Sequence, residues 1–213
     1  KIYPYLKDKK IEELDKKDKK EILKNTFGLS MYKISSIVLN ATDNIIISIF
    51  IGIVDVGKYS NYLMIVNAIT GFTKLIFNSL TASIGNMYIS EKEEKSEFIF
   101  RCINFLNFWV YGFCATALFV LINPFIKIWV GEQYLFDICI VTLIVLNFVT
   151  SGLQDAVINF KDACGLFWKG KLRPALSAIL NIIISVILVK FIGISGVILG
   201  TIISRFLTTW WFD

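Results

Sequence analysis

Six apolar stretches, each able to cover the ~20 residues that a bilayer-spanning helix requires, run through this 213-residue chain and leave it few ways to fold. They fall near residues 25–51, 58–89, 97–122, 136–160, 174–192 and 196–212. Between them stand segments that punctuate. These are Gly52 with Asp55 and Gly57, SEKEEKSE at 90–97, Asn123-Pro124 with Gly131-Glu132, KDACGLFWKGKLRP at 161–174, and Gly193 to Gly196. Pro174 suits a first helical turn, where its missing N–H costs nothing. With 55% hydrophobic residues and a mean hydropathy of +0.65, the chain carries more apolar surface than a water-soluble domain of this size conceals. The expectation is an all-α, polytopic membrane bundle of about six transmembrane helices.

Residues 1–24 hold nine lysines and six acids with little apolar periodicity. They read as a cytoplasmic charged linker, or a helix on the membrane surface, ahead of a transmembrane unit at 25–213. Opening on Lys1 rather than Met is expected of a segment of a longer polypeptide. Counted over alternate connections, sixteen Lys and Arg fall on the side of the N-terminus, and only Lys58, Lys127 and Lys190 on the other. Positive residues stay cytoplasmic, so the N-terminus is expected inside. Trp129 and Tyr134 on the outer side, with Trp168, Trp210 and Trp211 on the inner, fit interfacial aromatic belts.

Several function classes drop out. The absence of His removes His-based acid–base chemistry and the commonest metal ligand. No Walker motif, Gly-rich phosphate loop or metal-ligand spacing is present, and the chain is not read as an enzyme. Cys102, Cys114, Cys139 and Cys164 form no CxxC pair and read as small packing residues. Despite a net charge of +5, the cations lie between apolar spans without interleaved aromatics, which argues against nucleic acid.

Chemistry enters through polar residues inside the spans. In KISSIVLNATDNIIIS at 33–48, Lys33, Ser36, Asn40, Asp43 or Asn44, and Ser48 share one helical face while isoleucines cover the rest. A wet stripe on a greasy helix implies a polar cavity inside a bundle. Lys33 has two readings, cavity residue or snorkelling anchor at the headgroups. Asp43 lies deeper and would stay protonated, pair with Lys74 or Arg205, or coordinate a coupling ion. The second span repeats the pattern through Ser60, Asn67, Thr70, Lys74, Asn78 and Thr81. An ammonium at mid-bilayer costs ~3 kcal/mol on insertion scales, so Lys74 requires a partner, water or an anionic ligand. Arg205 offers a fork of donors suited to phosphate. Asp155 falls near the inner end of the fourth span, where a headgroup-level role is the default. Ser177, Asn181 and Ser185, and Thr201, Ser204 and Thr208, make stripes that often serve only to hold helices together, and Gly196 with Gly200 is a weak sign of close helix contact.

The runs TDNIIISIFIGIVDVGKYSNYLMIVNAI at 42–69, YPYLK at 3–7, SIGNMYISE at 83–91, GLFWKGKLRP at 165–174 and GISGVILGTIISR at 193–205 resemble the second half of bacterial polysaccharide repeat-unit flippases. These are Wzx-type exporters of the superfamily that also holds multidrug antiporters and the lipid II flippase. The resemblance implies one six-helix lobe of a two-lobe transporter of the bacterial inner membrane, with an N-terminal lobe elsewhere in the polypeptide. It implies a lipid-linked oligosaccharide as substrate, and polysaccharide polymerase or export proteins as partners. Lys74, Arg205, Lys33 and Asn78 are then the substrate contacts, with the cations facing the pyrophosphate. Asp43, Asn44 and Asn40 are the ion-coupling candidates. No cofactor is required beyond a coupling Na+ or H+.

The expected function is therefore export of an anionic, undecaprenyl-pyrophosphate-linked oligosaccharide by alternating access. A cation-coupled drug antiporter of the same fold is the nearest rival, and it predicts cavity acids in excess of cations. A membrane enzyme acting on lipid-linked sugars predicts a large outer loop with catalytic Arg or His, and residues 123–135 make only a short, weakly charged one. A structural subunit would not need two adjacent spans with continuous polar faces.

Overall fold

A computed structural model describes residues 15–90, 93–164 and 173–212. Most of the expected linker, Trp168, Lys169 and Lys171 fall outside the described residues, as do the side chains of Asn40, Trp210 and Trp211. Among the described residues the chain is all-helical, as expected, with no strand. In order come α1 (Lys16–Phe50), α2 (Ile53–Ser90), α3 (Glu93–Trp129), a 3₁₀ turn (Glu132–Tyr134), α4 (Ile138–Gly152), α5 (Asp155–Ala163), α6 (Arg173–Ile192) and α7 (Ile194–Phe212).

Among the described residues, four helical stretches are long and apolar enough to cross a membrane: Ile53–Tyr88, Glu94–Trp129, Ile138–Ala163 and Pro174–Ile192. The first and sixth expected spans lie in α1 and α7, whose described side chains include the apolar stretches Ala41–Phe50 and Ile194–Thr208. The charged residues from Lys16 onward share one unbroken helix with the first apolar stretch.

Burial departs from that of a water-soluble protein, because the exterior is as apolar as the core and many polar side chains are hidden inside. Phe72, Phe113, Ile128 and Phe191 are exposed on the outside, whereas Asn107, Asn181, Ser185 and Thr208 are fully buried. Such a surface suits hydrocarbon, and such an interior hides polar groups that hydrocarbon would leave unsatisfied. Cys102 and Cys139 belong to the exposed surface, so they are not the packing residues that their apolar character suggested.

The connections are short because glycines take backbone that other residues avoid. Gly193 alone separates α6 from α7 at φ 59°, and its N–H donates to the Val189 carbonyl at 3.0 Å. This left-handed residue closes α6 and reverses the chain. The reversal folds α7 back along α6 so tightly that a Cβ on Gly200 would sit 2.8 Å from the Ser185 nitrogen. Gly196 meets the Leu188 carbonyl more closely still, so the GxxxG pair does mark a helix contact.

Two expected boundaries differ. Asn123-Pro124 does not end the third span, because α3 runs through Pro124 to Trp129. A proline removes one helical N–H, and it survives in such a helix where neighbours supply compensating bonds. Beside the proline, Asn123 ties the helix to the following loop: it accepts from the Tyr62 hydroxyl at 2.6 Å and donates to the Phe136 carbonyl at 3.1 Å. The Phe136 N–H in turn donates to the Tyr62 oxygen at 2.9 Å. Conversely, the fourth span is not one helix. It breaks at Leu153-Gln154 into α4 and α5. Asn107 of α3 donates to the Gly152 carbonyl at 2.9 Å beside that break, and the Tyr111 ring fills the space where a Gly152 side chain would be.

Candidate functional site

Helices α1, α2, α3, α4 and α7 surround a cavity of about 500 Å³. Its wall is mainly polar, although the bundle around it is greasy. Four of the expected site residues meet there: Asp43 and Asn44 from α1, Lys74 from α2 and Arg205 from α7. They lie up to 162 positions apart in the chain, and each reaches the cavity through its own helix's periodicity. On α2 the inward residues Leu63, Val66, Asn67, Thr70 and Lys74 recur every three or four positions. Tyr59, Tyr111, Asn147 and Ser151 complete much of the polar lining.

The remaining expected residues sit elsewhere. Lys33 is exposed on α1, ten residues before Asp43 and so about 15 Å away along the axis. Asn78 is exposed on α2, one turn beyond Lys74, and does not line the cavity. Asn40 lies on α1 less than one turn before Asp43.

Asp43 is only 6% exposed, and a string of side chains leads to it. The Asn181 amide of α6 donates to the Thr201 hydroxyl at 2.7 Å. The Thr201 oxygen lies 3.0 Å and 3.2 Å from the two Asp43 carboxylate oxygens, close enough to give its single hydrogen to them. Thr201 therefore accepts from one side and donates to the other, which aligns the dipoles toward the carboxylate. Two buried carbonyl oxygens nearby in sequence or bonding, Asn44 Oδ1 and Asn181 Oδ1, have no hydrogen-bond partner. Amide oxygens of this kind are hard ligands of the sort that coordinate hard cations. Among the described residues, no group of three His, Cys, Asp or Glu side chains is placed to hold a metal ion.

Arg205 spends one nitrogen on Asn147. Its Nη1 donates to the Asn147 side-chain oxygen at 2.8 Å and to the Asn147 backbone carbonyl at 3.1 Å. Its other guanidinium nitrogens make no hydrogen bond to a described residue, which leaves the flat edge of the fork for a ligand.

Lys74 has a partner that was not anticipated. Its ammonium stands 3.8 Å from an Asp155 carboxylate oxygen at the start of α5. The other Asp155 oxygen accepts from the Tyr111 hydroxyl at 2.6 Å, and that hydroxyl lies 3.0 Å from the Thr73 oxygen. Asp155 is thus buried within the bundle rather than free at its rim, because the break at Leu153-Gln154 turns its side chain inward. The fourth span carries Asn147, Ser151, Gln154 and Asp155 toward its inner end, but read as one helix it places Asp155 at the rim, and nothing in the residue pattern foretold the break. Tyr59 and Tyr111 were equally silent, being aromatic residues among aliphatic ones.

One expectation about charge is corrected. Lys33 lies outside the cavity, whose wall carries Lys74 and Arg205 against Asp43, while Asp155, paired with Lys74, lies behind that wall and cancels the surplus of one. What distinguishes Lys74 is accessibility: its side chain is 48% exposed and that of Asp155 only 11%. No protein-family description, curated protein or solved structure matches the chain.

Proposed function

We propose that this chain is a six-span lobe of a membrane transporter that moves an anionic, lipid-linked oligosaccharide between leaflets by alternating access. The observation that carries the reading is the cavity of about 500 Å³, in which Lys74 and Arg205 turn accessible donors toward the interior of an apolar bundle. A lipid-linked pyrophosphate offers the oxygens those donors lack, while its hydrocarbon tail stays among the exposed aliphatic and aromatic side chains outside. A second lobe would supply the facing wall. The Asn181–Thr201–Asp43 string supplies a place for a coupling Na+ or H+, whose binding would bias one orientation of the lobe over the other. On this reading the membrane is the bacterial inner membrane, with Lys16 on the cytoplasmic side.

The test is transport of a fluorescent prenyl-pyrophosphate-linked glycan in proteoliposomes containing the full-length polypeptide. Lys74→Ala and Arg205→Ala are each expected to lower the initial rate at least about tenfold, the loss of ~1.4 kcal/mol that one charge-assisted bond readily accounts for. Asp43→Asn should abolish the response to an imposed Na+ or H+ gradient. Unchanged rates in both cation variants would refute the role of the cavity cations. The one-for-one match of cations by Asp43 and Asp155 favours a second reading, export of an organic cation. It predicts that Asp43→Asn stops efflux of tetraphenylphosphonium while Lys74→Ala does not.

A further inference from the structure

We propose that Asp155 is an internal counterion which Lys74 exchanges for the anion of the substrate, and that Tyr111 holds the Asp155 carboxylate when the lysine leaves. This rests on the reading of an anionic substrate, and adds to it the residues that keep the empty site neutral.

Three observations carry it. First, the two contacts of Asp155 are unequal. Tyr111 donates at 2.6 Å, a strong charge-assisted bond, whereas Lys74 stands at 3.8 Å, an ion pair too long for a hydrogen bond. Second, the partners differ in freedom. The Lys74 side chain is half exposed and belongs to the cavity wall, while Asp155 is packed behind that wall and is not part of it. The lysine can therefore swing to a ligand on its flexible stem, and the aspartate cannot follow. Third, Asp155 keeps support without the lysine. It opens α5, where helix N–H groups favour an anion, and Tyr111 is locked by its own surroundings, its ring against Gly152 and its hydroxyl beside Thr73.

The consequence is a site that hides its charge when empty. A bare ammonium in the bundle is costly, and a permanently tight ion pair would refuse the ligand. A loose pair avoids both extremes. Tyr111 and Asp155 are positioning residues in this scheme, since neither needs to touch the substrate.

The experiment is calorimetric titration of inorganic pyrophosphate into the full-length protein in nanodiscs. Asp155→Asn should tighten binding about tenfold, ~1.4 kcal/mol, because the competing charge is gone. The gain should vanish on a Lys74→Ala background. Tyr111→Phe should act in the opposite direction and weaken binding several-fold, because an untethered Asp155 then holds Lys74 more closely. A merely structural role would make both variants bind less. If wild type and Asp155→Asn bind equally while Lys74→Ala binds less, the exchange is refuted and the anion site stands. If no variant and no wild type binds pyrophosphate, both fall. Should Asp155→Asn fail to fold, Tyr111→Phe decides alone, and affinity equal to wild type overturns the proposal.

Discussion

Replacing Gly200 by alanine tests one of the tight approaches of α7 to α6. A Cβ there would lie 2.8 Å from the Ser185 nitrogen and 2.9 Å from its Cα, and would overlap the Ser185 hydroxyl. Comfortable contact is ~3.5–4.0 Å, so α7 must withdraw from α6 by about 1 Å. Backbone atoms cannot step aside as a flexible side chain would, and overpacking of this kind costs ~1–3 kcal/mol. The Ser185 hydroxyl also loses its 3.2 Å bond to the Val197 carbonyl, worth ~1 kcal/mol. The expected destabilisation is therefore ~2–4 kcal/mol, measured by equilibrium unfolding in mixed micelles. The same withdrawal lengthens the 2.7 Å bond between Asn181 and Thr201 beyond hydrogen-bonding range, so the string to Asp43 should part as well. Gly112→Ala is the control. It has nothing within 4 Å of the new Cβ, and should be neutral or stabilising by up to ~1 kcal/mol through helix propensity. If Gly200→Ala unfolds within ~0.5 kcal/mol of wild type, the scatter of an ordinary surface change, the tight α6–α7 contact is wrong.

Two further outcomes concern the end of the bundle at the 3₁₀ turn. Tyr62→Phe removes the hydroxyl that joins Asn123 to the Phe136 N–H and strands two buried polar groups, so unfolding should become easier by ~1–3 kcal/mol; a change below ~0.5 kcal/mol would show that these bonds do not anchor the loop. Glu132 sits beside Lys127, which holds its carboxyl below the usual value of 4.5. A depressed carboxylate contributes stability above the unfolded pKa and loses it as pH falls through the folded one. In a carboxyl-carbon NMR titration, Lys127→Ala should therefore shift the Glu132 midpoint upward, and an unmoved midpoint would disprove the pairing.

Helix periodicity was enough to place Asp43, Asn44, Lys74 and Arg205 on inward faces, because an apolar helix with a single polar stripe has only one way to hide it. The same logic overreached for Lys33 and Asn78, which continue their stripes past the point where the bundle closes around them. Periodicity fixes the direction of a side chain around an axis, but not where along that axis the neighbouring helices end.

The apolar stretches and their glycine punctuation by themselves determined that the chain is all-helical and apolar on the outside. They also settled which face of each helix carries polar groups, since those properties follow from the 3.6-residue repeat. Tertiary structure alone decided the pairings. Lys74 meets Asp155 rather than Asp43, Arg205 leans on Asn147, and Tyr111 joins a carboxylate 44 residues away. These depend on the break at Leu153-Gln154 and on the depth at which five helices cross. Both are set by packing among residues far apart in the chain, which no local pattern encodes.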